Sequence, residues 1–255
     1  LAHRGVLFLD EMGQMPKSVI ESLRGPLEDR SVTISRLKTK VEYPASFMLV
    51  AASNPCPCGY WGDGDRCRCT PSQRMNYIAH LSGPLVDRID LQVVMHTIDI
   101  GTAVSSGVKR ETSAAVAARV MAAREVQQKR FEAEEISTNA EMSNRQIEKY
   151  CSLSQECLDV LSRICSASGL SMRAYFRIIK VARTIADLSG DVSISREHLC
   201  EAASQLHHLA VDLIIAEQLY ALFFGHLVFV QTVPDIRVDE VSTLNSFSII
   251  CNCEL

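Results

Sequence analysis

Gly5-Val6-Leu7-Phe8-Leu9-Asp10-Glu11 is an apolar run that ends in two adjacent carboxylates. Such a run reads as a strand, and an apolar strand that delivers Asp-Glu to its carboxyl edge suits Mg²⁺-dependent phosphoryl transfer. In that chemistry Asp10 holds the metal and Glu11 polarises the attacking water. The other reading of the pair is an acidic turn after a buried strand. The phosphate-cradling pattern Gly-x-x-x-x-Gly-Lys-Ser/Thr occurs nowhere in the 255 residues, and no lysine follows a glycine. Residue 1 is leucine. The chain therefore reads as the downstream part of a longer ATPase, beginning just before its second nucleotide motif.

Working outward, Pro16 suits the first position of a helix whose Val19, Ile20 and Leu23 share a face until Gly25-Pro26 interrupts them. Residues 31–43 read as a hairpin with β-rich arms and a basic tip carrying Arg36, Lys38 and Lys40. Three cations within five residues suit contact with phosphates, as in DNA; a hairpin kept soluble by its charges is the alternative. Phe47-Met48-Leu49-Val50-Ala51-Ala52 is continuously apolar, as in a strand covered on both faces of a parallel sheet. It ends at the turn signal Ser53-Asn54-Pro55.

Residues 1–104 thus alternate strand and helix patterns, and the expected fold class is α/β: a partial core with a parallel sheet, followed by an all-α domain over residues 105–204. In that second part Thr112 or Ser113 can cap a long helix reaching about Phe131, and another helical pattern covers residues 144–161. Gly169 ends one helix and Ser171 starts the next, in which Tyr175, Ile178, Ile179, Ala182, Ile185 and Ala186 form an apolar stripe. Residues 205–255 are an unassigned tail. Its apolar stretch, 209–233, is interrupted by Asp212, Glu217 and His226, which favours a buried helix and strand over a membrane span.

Composition narrows the function classes. A hydrophobic content of 47% with 22% charged residues is that of a globular protein. The net charge of −4 exerts no global pull toward nucleic acid, so any such contact must be local. Ten cysteines without a secretory signal fit a reducing cytoplasm better than a disulfide framework. Four of them, Cys56, Cys58, Cys67 and Cys69, form two Cys-x-Cys pairs eight residues apart. Four thiolates on one loop can satisfy tetrahedral Zn²⁺; plain loop thiols and a disulfide are the other readings.

The ordered set of residues 5–11, 47–55, Leu81-Ser82-Gly83-Pro84-Leu85-Val86-Asp87-Arg88-Ile89-Asp90 and Val181-Ala182-Arg183-Thr184-Ile185-Ala186-Asp187-Leu188 resembles the magnesium-chelatase-like AAA+ ATPases. The resemblance runs from residue 1 to about 203 and is strongest to the ComM/YifB branch, implicated in DNA branch migration during natural transformation. It implies that Asp10 and Glu11 are the Walker B pair, with ATP and Mg²⁺ as cofactors. It implies that Asn54 is sensor 1, orienting water and contacting the γ-phosphate. Arg88 stands at the position of the arginine finger that reaches a neighbouring subunit; a local ion pair with Asp87 or Asp90 is the alternative. Arg173 matches sensor 2, with Arg177 one turn later, and the basic hairpin matches an insertion that projects toward the pore of a ring, usually hexameric.

Three functions follow: a ring ATPase acting on DNA, a chelatase-like ATPase that remodels a protein partner, and a non-catalytic assembly or binding module. Because the phosphate cradle is absent from these 255 residues, they are expected to show no appreciable ATP turnover by themselves.

Overall fold

A computed structural model of the chain describes residues 1–36, 39–61, 64–81, 85, 88–96, 111–215 and 225–230. In chain order its elements are β1 (Val6–Leu9), α1 (Lys17–Ser22), α2 (Arg24–Asp29), the hairpin strands β2 (Ser31–Arg36) and β3 (Thr39–Pro44), β4 (Met48–Ser53), α3 (Pro71–Leu81) and β5 (Leu91–His96). Helices α4 (Ser113–Arg130), α5 (Asn144–Tyr150), α6 (Gln155–Ala167), α7 (Met172–Ser189) and α8 (Arg196–Ile215) follow, and then strand β6 (Gly225–Val230). Two compact units result, one of Leu1–Ile98 with Gln205–Val233, the other of Asp99–Ser204 with Pro234–Leu255.

In the first unit the apolar run of residues 6–9 does form a strand, paired parallel with β4 in the register Val6↔Met48 to Leu9↔Ala51. β4 is the best-covered strand: Leu49, Val50 and Ala51 are all buried, as expected for a strand sandwiched between layers. The sheet order is β1-β4-β6-β5, and β6 runs antiparallel to both of its neighbours. The α/β core with parallel pairing is therefore present, while the tail adds an antiparallel strand to it. Met12, Ile20, Ala51, Tyr77, Leu81, Leu85 and Ile89 make a buried core cluster of this unit.

Local chemistry explains where expectation and structure part. Pro16 occupies the position before the helix rather than its first turn, with Lys17 opening α1. Gly25-Pro26 does not end helical structure. A second helix begins at Arg24, and Pro26 lies in its first turn, where no backbone N–H is needed for an intrahelical bond. Val19 is exposed, so Ile20 and Leu23 carry the packing. The hairpin forms as expected, Val32 facing Tyr43 and Ile34 facing Val41, and Arg36 pairs with Thr39 at its end.

The second unit is helical. Thr112 caps α4 by accepting from the Ala115 amide at 3.2 Å. The single helical pattern expected over 144–161 is instead two helices, because Cys151 leaves helical geometry and Ser154 opens a new cap onto the Cys157 amide at 3.2 Å. Gly190, at φ 79°, closes α7 in the left-handed conformation that favours glycine. The stripe on α7 buries Ala174, Ile178, Ile179, Ala182 and Ala186, but the second half of the helix also buries Arg183 and Asp187.

Asp187 is the keystone of that burial. Its carboxylate accepts from Arg130 at 2.5 and 2.7 Å, from Arg183 Nε at 3.1 Å and from Asn139 Nδ2 at 2.8 Å. Arg183 donates further to the carbonyls of Val192 and Asp191, at 2.8 and 2.6 Å. One carboxylate so ties α4, the Asn139 turn and α7 together, and the charge is tolerable in the interior because every facing partner is a donor. The Asp187 carboxylate raises the Arg130 pKa against the opposing effect of burial.

Candidate functional site

Parallel pairing fixes the site. With Leu9 opposite Ala51, β1 and β4 end side by side, and the residues that follow each strand, Asp10-Glu11 and Asn54, emerge at the same edge of the sheet. Asp10 and Glu11 are both exposed, and Asn54 is half-buried. The Glu11 amide donates to Asp10 Oδ1 at 2.9 Å. Glu11 itself sits at φ 50°, ψ 40°, a left-handed conformation uncommon for a residue with a side chain. That bend turns the chain sharply away from β1 into the short 3-10 turn Met12–Gln14 and leaves the two carboxylates at the strand mouth. Adjacent exposed carboxylates are hard oxygen donors of the kind that suit Mg²⁺.

What holds the turn was not visible in the motifs. Gly13 is buried, and a Cβ there would lie 2.2 Å from the Tyr77 hydroxyl and 2.8 Å from Ser53 Oγ. Only a glycine lets the acidic turn settle so closely. Tyr77 Oη and Ser53 Oγ share a buried hydrogen bond of 3.1 Å, and burial raises the Tyr77 pKa. A ring nitrogen of His80, one turn on in α3, meets the Met15 carbonyl at 2.8 Å. Helix α3 thus clamps the acidic turn to the end of β4. A signal for this helix does stand in the sequence: Thr70-Pro71-Ser72-Gln73 is a capping box, with the Thr70 amide donating to Gln73 Oε1 at 2.9 Å and the Gln73 amide to Thr70 Oγ1 at 3.3 Å.

Arg88 is only 7% exposed, and its guanidinium pairs with Glu28 of α2 at 2.5 Å. A carboxylate beside it thus comes from sixty residues upstream; of the local acids considered above, Asp87 lies outside the described residues. Arg173 is an exposed residue in the first turn of α7, in the second unit. In the hairpin Lys40 is exposed opposite Ser35, and Arg36 closes the ladder; Lys38 lies outside the described residues.

Directly after Asn54 comes the cysteine loop, whose four sulfurs lie within 4.8 Å of one another. Cys56 is buried, Cys58 exposed, and Cys67 and Cys69 are intermediate. All four are free thiols, which removes the disulfide reading. Burial pushes Cys56 up to about 12, while the Tyr60 backbone amide holds Cys58 down to about 6. The loop also touches the sheet edge. Gly59, at φ 79°, faces Asn54, and a Cβ there would lie in ordinary contact, 3.7 Å from the carboxamide carbon.

Residues 1–103 match the family model described as magnesium chelatase, subunit ChlI, and residues 110–205 match that of its C-terminal part. The chain is 43% identical over 202 residues to competence protein ComM of Haemophilus influenzae, covering 79% of this chain and 39% of that protein. It is 41% identical over 215 residues to the uncharacterized protein YifB of Salmonella typhimurium, covering 84% and 41%. A shorter match, 32% over 94 residues, covers 37% of this chain and 13% of an archaeal Lon protease from Methanocaldococcus jannaschii. The chain thus spans about two-fifths of the length of the ComM and YifB relatives.

Proposed function

The chain belongs to the magnesium chelatase ChlI family, an AAA+-like ATPase group, and from that membership we propose that it is part of an ATP-hydrolysing ring motor that acts on DNA. The observation that carries the reading is the side-by-side ending of β1 and β4, with two exposed carboxylates beside one carboxamide. Asp10 is the residue that would hold Mg²⁺, which when bound would offset negative charge on the phosphates. Glu11 accepts a proton from, or aligns, the attacking water, and Asn54 orients the same water because an amide both donates and accepts. ATP and Mg²⁺ are the cofactors of this reading; the phosphate cradle would come from residues outside these 255.

Arg88 acts in trans in this account, as does the ring. Its present anion, Glu28, is then exchanged for the γ-phosphate of a neighbouring subunit, so that assembly replaces one charge pair with another. Arg173, in the helical unit, is the sensor 2 candidate of this reading. The Haemophilus relative is a competence protein, which favours DNA over a chelatase-type protein partner, and the hairpin cations Arg36, Lys38 and Lys40 are the phosphate-facing candidates. Among the described residues no helix is long and apolar enough to cross a membrane. A cytoplasmic, hexameric assembly that migrates DNA branches is the full form of the proposal.

Subunit mixing tests it. In the intact protein Glu11→Gln and Arg88→Ala should each abolish turnover alone. Mixed, they should recover part of it, because some interfaces then join an intact Glu11 to an intact Arg88. No recovery from two folded variants would contradict a shared site. Turnover unaffected by any DNA would favour the protein-remodelling alternative.

A further inference from the structure

We propose that Cys56, Cys58, Cys67 and Cys69 form a structural Zn²⁺ centre that fastens the loop between β4 and α3 over Asn54. A tetrahedral zinc with Zn–S bonds of about 2.3 Å holds its sulfurs about 3.8 Å apart. The separations here are 3.4 Å between Cys56 and Cys58, 3.8 Å between Cys56 and Cys67, and 3.7 Å between Cys58 and Cys67. They match the edges of one small tetrahedron, and Cys69 joins the same group within 4.8 Å. The donor set is entirely sulfur, which selects zinc over the hard ions Mg²⁺ and Ca²⁺ that the carboxylate pair prefers.

The surroundings suit a bound dication with four thiolates. The Trp61 amide donates to Cys56 Sγ at 3.2 Å, the kind of outer-shell bond that steadies a metal-bound sulfur. A turn closed by the Gly59 amide on the Cys56 carbonyl at 3.0 Å brings the first Cys-x-Cys pair into position. Four thiolates around Zn²⁺ leave a net charge of −2, and the loop and the start of α3 carry cations of the opposite sign. Arg66 stacks on the Tyr60 ring at 4.2 Å, and Arg74 lies 5.3 Å from the Trp61 ring centre. A cluster of thiols serving no ligand would have no need to converge so closely across eight intervening residues.

The consequence is mechanical. The loop begins one residue after Asn54's neighbour Pro55 and runs into the Thr70 cap of α3, whose Tyr77 rests on Gly13. Ordering such a loop costs chain entropy, and metal binding offsets that cost. Gly59 then stays beside the Asn54 carboxamide. This metal site is independent of the nucleotide reading.

Untagged protein, purified without added metal, should carry about one zinc per chain by elemental analysis. Titration of the intact protein with a mercurial should release that zinc as four thiols react. Replacement by Co²⁺ should give the thiolate charge-transfer and red absorption bands of a tetrahedral sulfur site. Cys67→Ser should lose the ion while Cys165→Ser, in α6, retains it; the wild-type titration decides if the first variant does not fold. Protein that contains no zinc, or whose cluster thiols all react without releasing a metal, would overturn the proposal.

Discussion

At the scale of single residues, the candidate site depends on how Glu11, Gly13 and Tyr77 share a small volume. Glu11 accepts an uncommon left-handed backbone, and that bend drops Gly13 directly under the Tyr77 hydroxyl. The added methyl of Gly13→Ala would meet Tyr77 and Ser53 well inside contact distance. Such overpacking should cost about 1–3 kcal/mol of stability, read by urea denaturation of wild type and variant. Asp10, Glu11 and Asn54 are legible in the sequence because each closes an apolar strand whose pattern is local. Gly13 with Tyr77 and Arg88 with Glu28 are not legible, since the partners of each pair stand sixty or more positions apart and meet only after the chain between them has folded.

Among elements, the helical unit is held by polar contacts that its apolar stripe conceals. The pattern on α7 identifies Ile178, Ile179, Ala182 and Ala186 as core, yet Arg183 and Asp187 share the same face as deeply. A periodicity argument treats charged residues as solvent-facing, so it misses a carboxylate whose donors come from α4 and the Asn139 turn. Removing one partner of such a buried pair leaves the others uncompensated. Asp187→Asn should destabilise the fold by about 3–5 kcal/mol in chemical denaturation. Capping residues were more readable: Thr112, Ser171 and Gly190 stand where their side chains or backbone dictate. The break at Cys151 and Ser154 was not, because helical residues flank it on both sides.

The same unit contains a pH-sensitive junction after α4. Glu134 accepts from Lys149 and Tyr150, both at 2.7 Å, and from Gln146 at 2.9 Å. The Lys149 bond leads these partners in holding its carboxyl down from 4.5 to about 2. A depressed carboxylate stabilises the fold fully above its ordinary value and loses that contribution as pH falls through about 2. Thermal melts of wild type should therefore lose more stability than Glu134→Gln as pH drops from 4.5 toward 2. Equal losses would show that the three bonds do not bias the carboxylate.

For the whole molecule, the α/β-then-helical order follows from where strand and helix periodicities change over. The tail's role was not readable, because an apolar strand of six residues does not say which sheet it will join. It enters the first sheet between β4 and β5, antiparallel to both. At this scale the central claim is that one edge of that sheet is half of an ATP-hydrolysing site. The most direct measurement is steady-state ATP turnover by the intact protein that contains this chain, compared with its Glu11→Gln variant while nucleotide binding is followed in parallel. The account predicts that the variant still binds ATP and turns over at least about 100-fold more slowly, the scale of a lost general base. Turnover that survives Glu11→Gln undiminished would contradict it.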